Sequence, residues 1–378
     1  MTTKGLDDAV AAATRLSEVF GEAGRLVYAG YEIQDLARNT TFEEVCHLLW
    51  YGELPNREQF ARLNQRINEG MVVDARALDL LRLAARGTHP MAVLRTAVSA
   101  LSFWDPDAET RSPEASERKA IRLTGQAVTL SAAIARLAAG KEPVPPRGDL
   151  GLGANFLYML NGEIPGEVSA RTMDVAFTLH AEHGMNASTF AARVAAATLA
   201  DMHGAITAAI ATLKGPLHGG ANEGVMRMLL EIGEVDAAEA WVRQKLERGE
   251  RIMGFGHRVY RTLDPRAPIL RALAEEMMAE TGADAHWLRV ADRIQQVVRA
   301  EMDRRGKKIY ANVDFFSAAV YSTMGIPAEL FTNVFACARM AGWTAHIMEQ
   351  QQDNRLIRPR SEYRGPADRQ VIPIAQRN

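Results

Sequence analysis

The chain has 378 residues, 47% apolar and 24% charged, and 44 Lys and Arg against 46 Asp and Glu leave a net charge of −2. This balance argues against a nucleic-acid-binding protein and against an acidic disordered tail. The length exceeds the size at which a single core usually stops growing, so two domains are expected.

The N-terminal residues predict a small β-hairpin. The segment 9–13 favours helix, but Leu26, Val27 and Tyr28 lie between Gly24 and Gly30 and are typical of a short strand. From Thr41 onward helical signals dominate. Thr41 and Glu44 have capping-box spacing, and Gly52 is expected to end the first clear helix.

Helices of ordinary length fill the next part of the chain. We predict them at 57–68, 74–85, 91–103 and 117–139, with a polar loop at 105–115. Gly140 is a suitable C-terminal glycine for the last of these. The Pro- and Gly-rich segment 140–153 is either a linker or a loop that lies over the domain.

The second half of the chain is also helical. Ser169 is expected to cap a helix that continues to 179–183, and one long alanine-rich helix is predicted from Asn186 to about Leu213. Further helices are predicted at 223–232, 236–248, 268–281, 283–304, 314–324 and 327–351, followed by a basic tail at 355–378. No βαβ alternation occurs, so the predicted fold class is all-α.

Two cysteines, Cys46 and Cys337, lie far apart in apolar surroundings. This arrangement is not a disulfide framework and fits a reducing compartment. The N-terminus lacks the apolar stretch of a secretory signal, and no run of about 18 apolar residues predicts a membrane-spanning helix. We therefore expect a cytoplasmic protein without membrane contact.

The segment 214–224, KGPLHGGANEG, contains the first candidate catalytic residue, His218. Two glycines after a histidine allow a sharp turn and a close approach to a ligand. A second histidine beside glycine, His257, lies in 254–266 (GFGHRVYRTLDPR), and Asp314 starts a predicted helix. Two histidines and a carboxylate are suited to acid–base chemistry.

Asp314 has two interpretations at this stage. As a helix N-cap it would stabilise the fold by roughly 1 kcal/mol. As a carboxylate partly desolvated by Phe315 and Phe316 it would have a raised pKa and suit proton abstraction.

Other site classes find little support in the sequence. The spacing of His180 and His183 is too short for a helical zinc pair, and no HExxH or GxSxG motif occurs. Gly254-Phe255-Gly256 lacks the third glycine and the preceding strand of a dinucleotide site. Neither a metal nor a bound cofactor is expected.

Three arginines form a second group: Arg266, Arg339 and Arg358. Each taken alone could be a surface or salt-bridging residue. Arg339 lies beside the apolar face of the last long helix, where an arginine is costly unless a carboxylate meets it. Together with His257, the arginines suggest bidentate binding of a small polycarboxylate.

Four blocks resemble the signature segments of the citrate synthase family: GPLHGGANE at 215–223, MGFGHRVYRTLDPRA at 253–267, NVDFF at 312–316 and RPRSEY at 358–363. The resemblance runs from about residue 24 to 366 and is closest to the short bacterial and archaeal form. It implies a large helical domain, 1–218 with 326–378, and an inserted small helical domain, 219–325. It also implies a homodimer whose active site lies between the two domains.

The same resemblance implies the chemistry. Asp314 would remove a methyl proton of acetyl-CoA, His218 would stabilise the enolate, and His257 would protonate the ketone oxygen of oxaloacetate. Oxaloacetate would be held by His183, Asn186, Arg266, Arg339 and, from the other subunit, Arg358. The predicted helix C-terminus at His183 would favour the cationic form of its ring. CoA would contact Met253, Gly254, Phe255, Gly256, Arg261 and Lys307.

Two alternatives remain open. A 2-methylcitrate synthase, which uses propionyl-CoA, shares the catalytic blocks, and dual use of both acyl-CoAs is compatible with them; the tail RPRSEYRGP favours the citrate enzyme. A non-catalytic metabolite-binding relative should have lost one of His218, His257 or Asp314, and all three are present.

Overall fold

The computed structural model describes residues 4–6, 9–282 and 284–377. The described chain begins with a small β-sheet. Strands β1 (Ser17–Phe20), β2 (Arg25–Tyr28) and β3 (Tyr31–Glu32) form an antiparallel sheet in the order β1-β2-β3. Ser17 pairs with Tyr28 and Val27 with Glu32. The predicted hairpin is confirmed, with β3 in addition, whereas the segment 9–13 is not helical.

Helices make up most of the described chain. The first eight are α1 (Ile33–Asn39), α2 (Phe42–Tyr51), α3 (Arg57–Gly70), α4 (Ala75–Ala84), α5 (Pro90–Leu101), α6 (Pro113–Ala138), α7 (Leu152–Asn161) and α8 (Glu167–His180). The capping box of α2 is confirmed, since the Thr41 hydroxyl accepts the Glu44 N–H while a Glu44 carboxylate oxygen accepts the Thr41 N–H. Ser169 is not a cap, because α8 begins two residues earlier, after Gly166.

The remaining helices are α9 (Ala187–Ala197), α10 (Met202–Leu213), α11 (Ala221–Ile232), α12 (Ala238–Glu247), α13 (Ala267–Thr281), α14 (His286–Arg304), α15 (Val313–Thr323) and α16 (Phe331–Gln352). The single helix predicted for 186–213 is wrong. Leu199 has a φ of 67° and Asp201 caps α10 by accepting the Gly204 N–H at 2.8 Å. A short polar side chain competes with the helix for backbone hydrogen bonds, so the chain restarts at Asp201. Residue 283, the predicted start of α14, lies outside the described residues.

Helix α16 is the centre of the fold. It is buried along most of its length and packs against α2, α6, α8, α9 and α10. The helix approaches the residues after α8 very closely, since a Cβ at Gly342 would collide with the backbone oxygen of Ala181. This packing brings Arg339 to the end of α8, where it contacts the backbone oxygen of His180.

Helices α11 to α15 pack mainly on one another and meet the rest of the chain through α8 and α16. The all-α class is confirmed. The division into 1–218 with 326–378 and 219–325 stays a prediction. Among the described residues, no helix combines the length and the apolar character needed to cross a bilayer.

Two carboxyl groups accept the first backbone N–H of α7 and of α2, and their raised pKa values predict a stability that depends on pH. Glu43 is buried and accepts the Leu152 N–H at 2.6 Å, and burial raises its pKa. Asp174 accepts the Phe42 N–H at 2.9 Å, and burial and then the Glu43 charge raise its pKa to about 7. The folded state therefore holds protons more tightly than the unfolded state, and stability should fall as the pH rises from about 4 through about 7.

Glu43→Gln keeps the amide oxygen as an acceptor and removes the buried charge. We expect the variant to be more stable than the wild type at pH 8 by about 1–3 kcal/mol, and less so at pH 5. Unfolding midpoints at both pH values measure this difference. Glu53→Gln, at an exposed site, is the matched control. Equal or lower stability of Glu43→Gln at pH 8 would contradict the prediction.

Candidate active site

The turn that carries His218 is held tightly against the end of α10. The Gly219 N–H donates to the Leu213 oxygen at 2.9 Å, and the His218 N–H donates to the Gly215 oxygen at 2.9 Å. A Cβ at Gly219 would lie 2.7 Å from the Leu213 oxygen, so the turn requires glycine there. The turn directs the His218 ring toward the start of α9.

The His218 ring is neutral and contacts a serine. Its Nε2 lies 2.8 Å from Ser188 Oγ. Burial, and then the charge of Arg339, lowers the His218 pKa to about 4. A neutral imidazole carries one N–H and can act as a hydrogen-bond donor without changing its charge.

The loop that carries His257 is paired with the segment before α15. Gly256 donates its N–H to the Tyr310 oxygen at 2.8 Å, and Asn312 donates its own to the Gly254 oxygen at 2.9 Å. Gly254 and Gly256 have φ values of 77° and 81°, which non-glycine residues rarely adopt. This pairing holds the loop of His257 beside the start of α15, which carries Asp314.

His257 has a defined proton position. Its Nδ1 accepts the backbone N–H groups of Val259 at 3.0 Å and Tyr260 at 3.1 Å. Burial, and then the charge of Arg266, lowers the His257 pKa to about 4. The neutral ring therefore carries its proton on Nε2, the nitrogen that is free to donate.

Asp314 is not the helix cap. The side chain of Asn312 accepts the Asp314 N–H at 3.1 Å and caps α15, so the N-cap interpretation of Asp314 is wrong. The Oδ1 atom of Asp314 is buried and has no hydrogen-bond partner. Burial raises the Asp314 pKa to about 7, although Arg266 opposes the shift. A carboxylate with a raised pKa is a stronger base than an ordinary aspartate.

Two arginines are buried beside these groups. Arg266 donates to both carboxylate oxygens of Asp264, at 2.9 and 2.8 Å. Arg339 donates its Nε–H to the His180 oxygen at 2.6 Å and lies 4.8 Å from the centre of the Phe335 ring. Its Nη2 is buried without a partner, and burial lowers its pKa to about 10. Such an unpaired donor is suited to an anionic ligand.

His183 lies beside His257, and Asn186 lies near His218 through their shared contact with Ser188. His183 Nε2 is 3.2 Å from the Tyr260 hydroxyl, and the centres of the His183 and His257 rings are 5.2 Å apart. The sequence suggested a cationic His183 at a helix C-terminus. Burial and the charge of Arg266 instead lower its pKa well below the usual value, so the ring is neutral. Asn186 caps α9 and accepts the Ser188 hydroxyl at 2.8 Å.

A cavity of 410 Å³ opens beside His257. It is lined by Gly256, His257, Tyr260, Arg261, Thr262, Asp264, Lys308, Ile309, Tyr310, Ala311 and Asn312. Gly256 and Arg261 thus line this cavity, but Met253, Gly254, Phe255 and Lys307 do not.

Arg358 lies in the segment after α16 and is exposed, so it is not among the buried residues described above. Across the described part of the chain, no three His, Cys, Asp or Glu side chains are grouped to hold a metal ion.

A family model described as the citrate synthase C-terminal domain matches residues 5–360. The chain belongs to the citrate synthase family. It is 48% identical to citrate synthase 2 of Bacillus subtilis (strain 168), with 99% of each chain covered. The resemblance drawn from the four blocks is therefore confirmed, and with it the prediction of a citrate-synthase-type acyltransferase.

A solved structure extends the match to three dimensions. Citrate synthase from Thermoplasma acidophilum, in a ternary complex with carboxymethyl coenzyme A and oxaloacetate, superposes with a TM-score of 0.94 at 32% identity over 100% of both chains. A 2-methylcitrate synthase from Shewanella oneidensis is 42% identical over 100% of this chain and 98% of its own. The propionyl-CoA alternative is thus not better supported than the citrate synthase prediction.

Several candidate site residues of this citrate synthase family member were missed by sequence reasoning. Tyr260 and Asp264 lie inside the block 253–267, and Lys308 lies four residues before the block 312–316, but none of them was assigned to the site. Trp343 contacts Ser188 from α16. Only Asp264 carried a usable signal, because an aspartate two residues before a buried arginine is a ready ion-pair partner.

Proposed function

We propose that this citrate synthase family member condenses acetyl-CoA with oxaloacetate and hydrolyses the resulting citryl-CoA to citrate and CoA. The observation that carries the proposal is the cluster of one buried carboxyl, with a pKa of about 7, and two neutral histidines. Abstraction of a methyl proton needs a base and an enolate stabiliser that act together.

Asp314 is the proposed base. Its carboxylate takes a proton from the methyl group of acetyl-CoA, and the electrons of the broken C–H bond form the enolate. The unpartnered Oδ1 supports this role, because no protein donor competes for the lone pairs that receive the proton.

The two histidines are the proposed donors. His218 donates a hydrogen bond to the thioester oxygen as charge develops there. The enolate carbon then attacks the ketone of oxaloacetate, and His257 gives its Nε2 proton to the ketone oxygen. Water finally cleaves the thioester of citryl-CoA, releasing citrate and CoA. The neutral state of both rings supports these assignments.

Arg266 and Arg339 are the proposed partners of the oxaloacetate carboxylates, with His183 and Asn186 beside them. The unpaired Nη2 of Arg339 supports this proposal. We also propose a homodimer in which Arg358 of the partner subunit completes the site. The exposure of Arg358 in the segment after α16 is compatible with such a contribution.

The cavity beside His257 is the proposed entrance for CoA. Arg261 and Lys308 offer cations to its phosphates, with Lys307 next in sequence. Met253, Gly254, Phe255 and Gly256 form the backbone of the same loop. The inserted domain 219–325 would close on the rest of the chain and exclude water from acetyl-CoA. In this proposal the enzyme is cytoplasmic and needs no metal or bound cofactor.

The experiment that tests the proposal compares the two acyl-CoA substrates. We expect CoA release with oxaloacetate to have a higher kcat/KM for acetyl-CoA than for propionyl-CoA. One methylene in an apolar pocket changes this ratio by about 10- to 200-fold at most. A clear preference for propionyl-CoA would favour 2-methylcitrate synthase, and no release with either would contradict the proposed function.

The activity should depend on the ionisation of Asp314. Because its pKa is about 7 and only the carboxylate can accept a proton, kcat/KM for acetyl-CoA should fall about tenfold per pH unit below this value. Above it the rate should level off. Initial rates between pH 5.5 and 8.5, with folding checked by circular dichroism at each pH, measure the profile. A flat profile down to pH 5.5 is incompatible with Asp314 as the base.

A further inference from the structure

The N-terminal hairpin of β1 and β2 contacts the segment that carries His183. At the open end of the hairpin, Ser17 and Tyr28 pair across the two strands. The Ser17 hydroxyl donates to Glu182 Oε1 at 2.9 Å and accepts the Gly184 N–H at 3.0 Å. The Tyr28 hydroxyl donates to the backbone oxygen of Glu182 at 2.8 Å. Because His183 lies between these two residues, its backbone is fixed against the hairpin.

The turn at the other end of the hairpin contacts the His257 loop, residues 257–263. The backbone oxygen of Gly21 accepts the Arg261 N–H at 3.0 Å. A Cβ at Gly21 would lie 2.4 Å from the backbone oxygen of Val259, which is closer than any side chain can approach. The turn and the loop can therefore meet only because Gly21 has no side chain.

The two segments held by the hairpin also meet each other. The Tyr260 hydroxyl lies 3.2 Å from His183 Nε2, and the centres of the His183 and His257 rings are 5.2 Å apart. Ser17 and Gly21, four residues apart, thus contact the two segments whose histidines face each other. The hairpin belongs to the predicted large domain and the His257 loop to the predicted inserted domain, so the contact at Gly21 crosses the predicted boundary.

We propose that the turn of this hairpin is the docking point of the His257 loop and that Gly21 is a positioning residue for the reaction. Docking sets the distance between His257, which protonates the ketone, and His183, which lies beside the bound oxaloacetate. The inference rests on the roles proposed for these two histidines. A misplacement of about 1 Å at a reacting group lowers the rate by about 100-fold.

The test variant is Gly21→Ala. The φ of Gly21 lies outside the left-handed region, so alanine fits the backbone and acts through its collision with Val259. We expect kcat to fall about 10- to 100-fold. The KM for acetyl-CoA should rise about fivefold, because Arg261 lies in the displaced loop. Partial unfolding would lower kcat but leave this KM unchanged.

Gly148→Ala is the matched control. A Cβ at Gly148 would meet no atom within 4 Å, and its φ also lies outside the left-handed region. The same chemical change is therefore made without a collision, and both kcat and KM should stay within twofold of the wild type.

Hydrogen exchange of peptides that cover 257–263, followed by mass spectrometry, measures docking without reference to turnover. In the wild type the Arg261 amide should exchange at least about tenfold more slowly than in an unstructured peptide of the same sequence. It should exchange faster in Gly21→Ala than in the wild type, both with and without oxaloacetate. Peptides from the buried helix α6 should exchange alike in both proteins, which shows that the fold is intact.

An unprotected Arg261 amide in the wild type would overturn the inference, and this measurement needs no variant to fold. Equal exchange in Gly21→Ala and the wild type would also overturn it. So would faster exchange with unchanged kcat, because the loop would then move without consequence for the reaction. An inactive wild-type enzyme would contradict the proposed function, whereas the exchange rates would still decide whether the turn holds the loop.

Discussion

Replacing Asp314 by Asn or Ala is expected to lower kcat by about a thousandfold while leaving oxaloacetate binding largely intact. Asn has nearly the same shape but cannot accept the methyl proton. The buried Arg266 and Arg339, which we propose bind oxaloacetate, remain in place. Turnover with acetyl-CoA and calorimetric titration with oxaloacetate measure the two effects separately.

Asp303→Asn is the control for this experiment. Asp303 is an aspartate of α14 whose side chain is 71% exposed, so its loss should leave kcat within twofold of the wild type. Survival of turnover in Asp314→Asn within a few-fold would show that another group removes the proton.

Arg339→Gln is expected to weaken oxaloacetate binding by about 100-fold. The Nη2 atom of Arg339 is buried without a partner, and its pKa is lowered because the cation is desolvated. A substrate carboxylate would supply the missing partner. Removing this desolvated cation should leave the ligand-free protein at least as stable as the wild type.

Thermal unfolding with and without oxaloacetate distinguishes the two contributions. Oxaloacetate should raise the Tm of the wild type and have little effect on Arg339→Gln at the same concentration. Arg299→Gln, which changes an arginine whose side chain is 73% exposed, should respond as the wild type does. An Arg339→Gln protein that binds oxaloacetate normally would remove Arg339 from the proposed substrate site.

The local patterns of the sequence predicted much of the fold. The capping box at Thr41, the hairpin around Tyr28 and the all-α class are all present. Each depends on residues that are close in sequence, so the interacting residues can be recognised together in one local pattern. Predictions failed where a single short-range signal was ambiguous, as at Leu199, where an alanine-rich stretch concealed a break before Asp201.

The candidate site residues were recognisable from their blocks, but their chemical states were not. His183 was expected to be cationic at a helix end, and the structure makes it neutral because it is buried beside Arg266. Asp314 was a candidate cap, and Asn312 is the residue that caps the helix. Such states depend on desolvation and on charges brought together from distant parts of the chain.

The sequence by itself determined the helical class, the family and the identity of the three candidate catalytic groups, because these are properties of composition, spacing and motif. Only the tertiary structure decided the proton position of His257, the raised pKa of Asp314 and the contact from Trp343 to Ser188. Ser188 and Trp343 are 155 residues apart in the chain. Their contact exists because α9 and α16 pack together, and no periodicity along either helix specifies which buried side chains will meet.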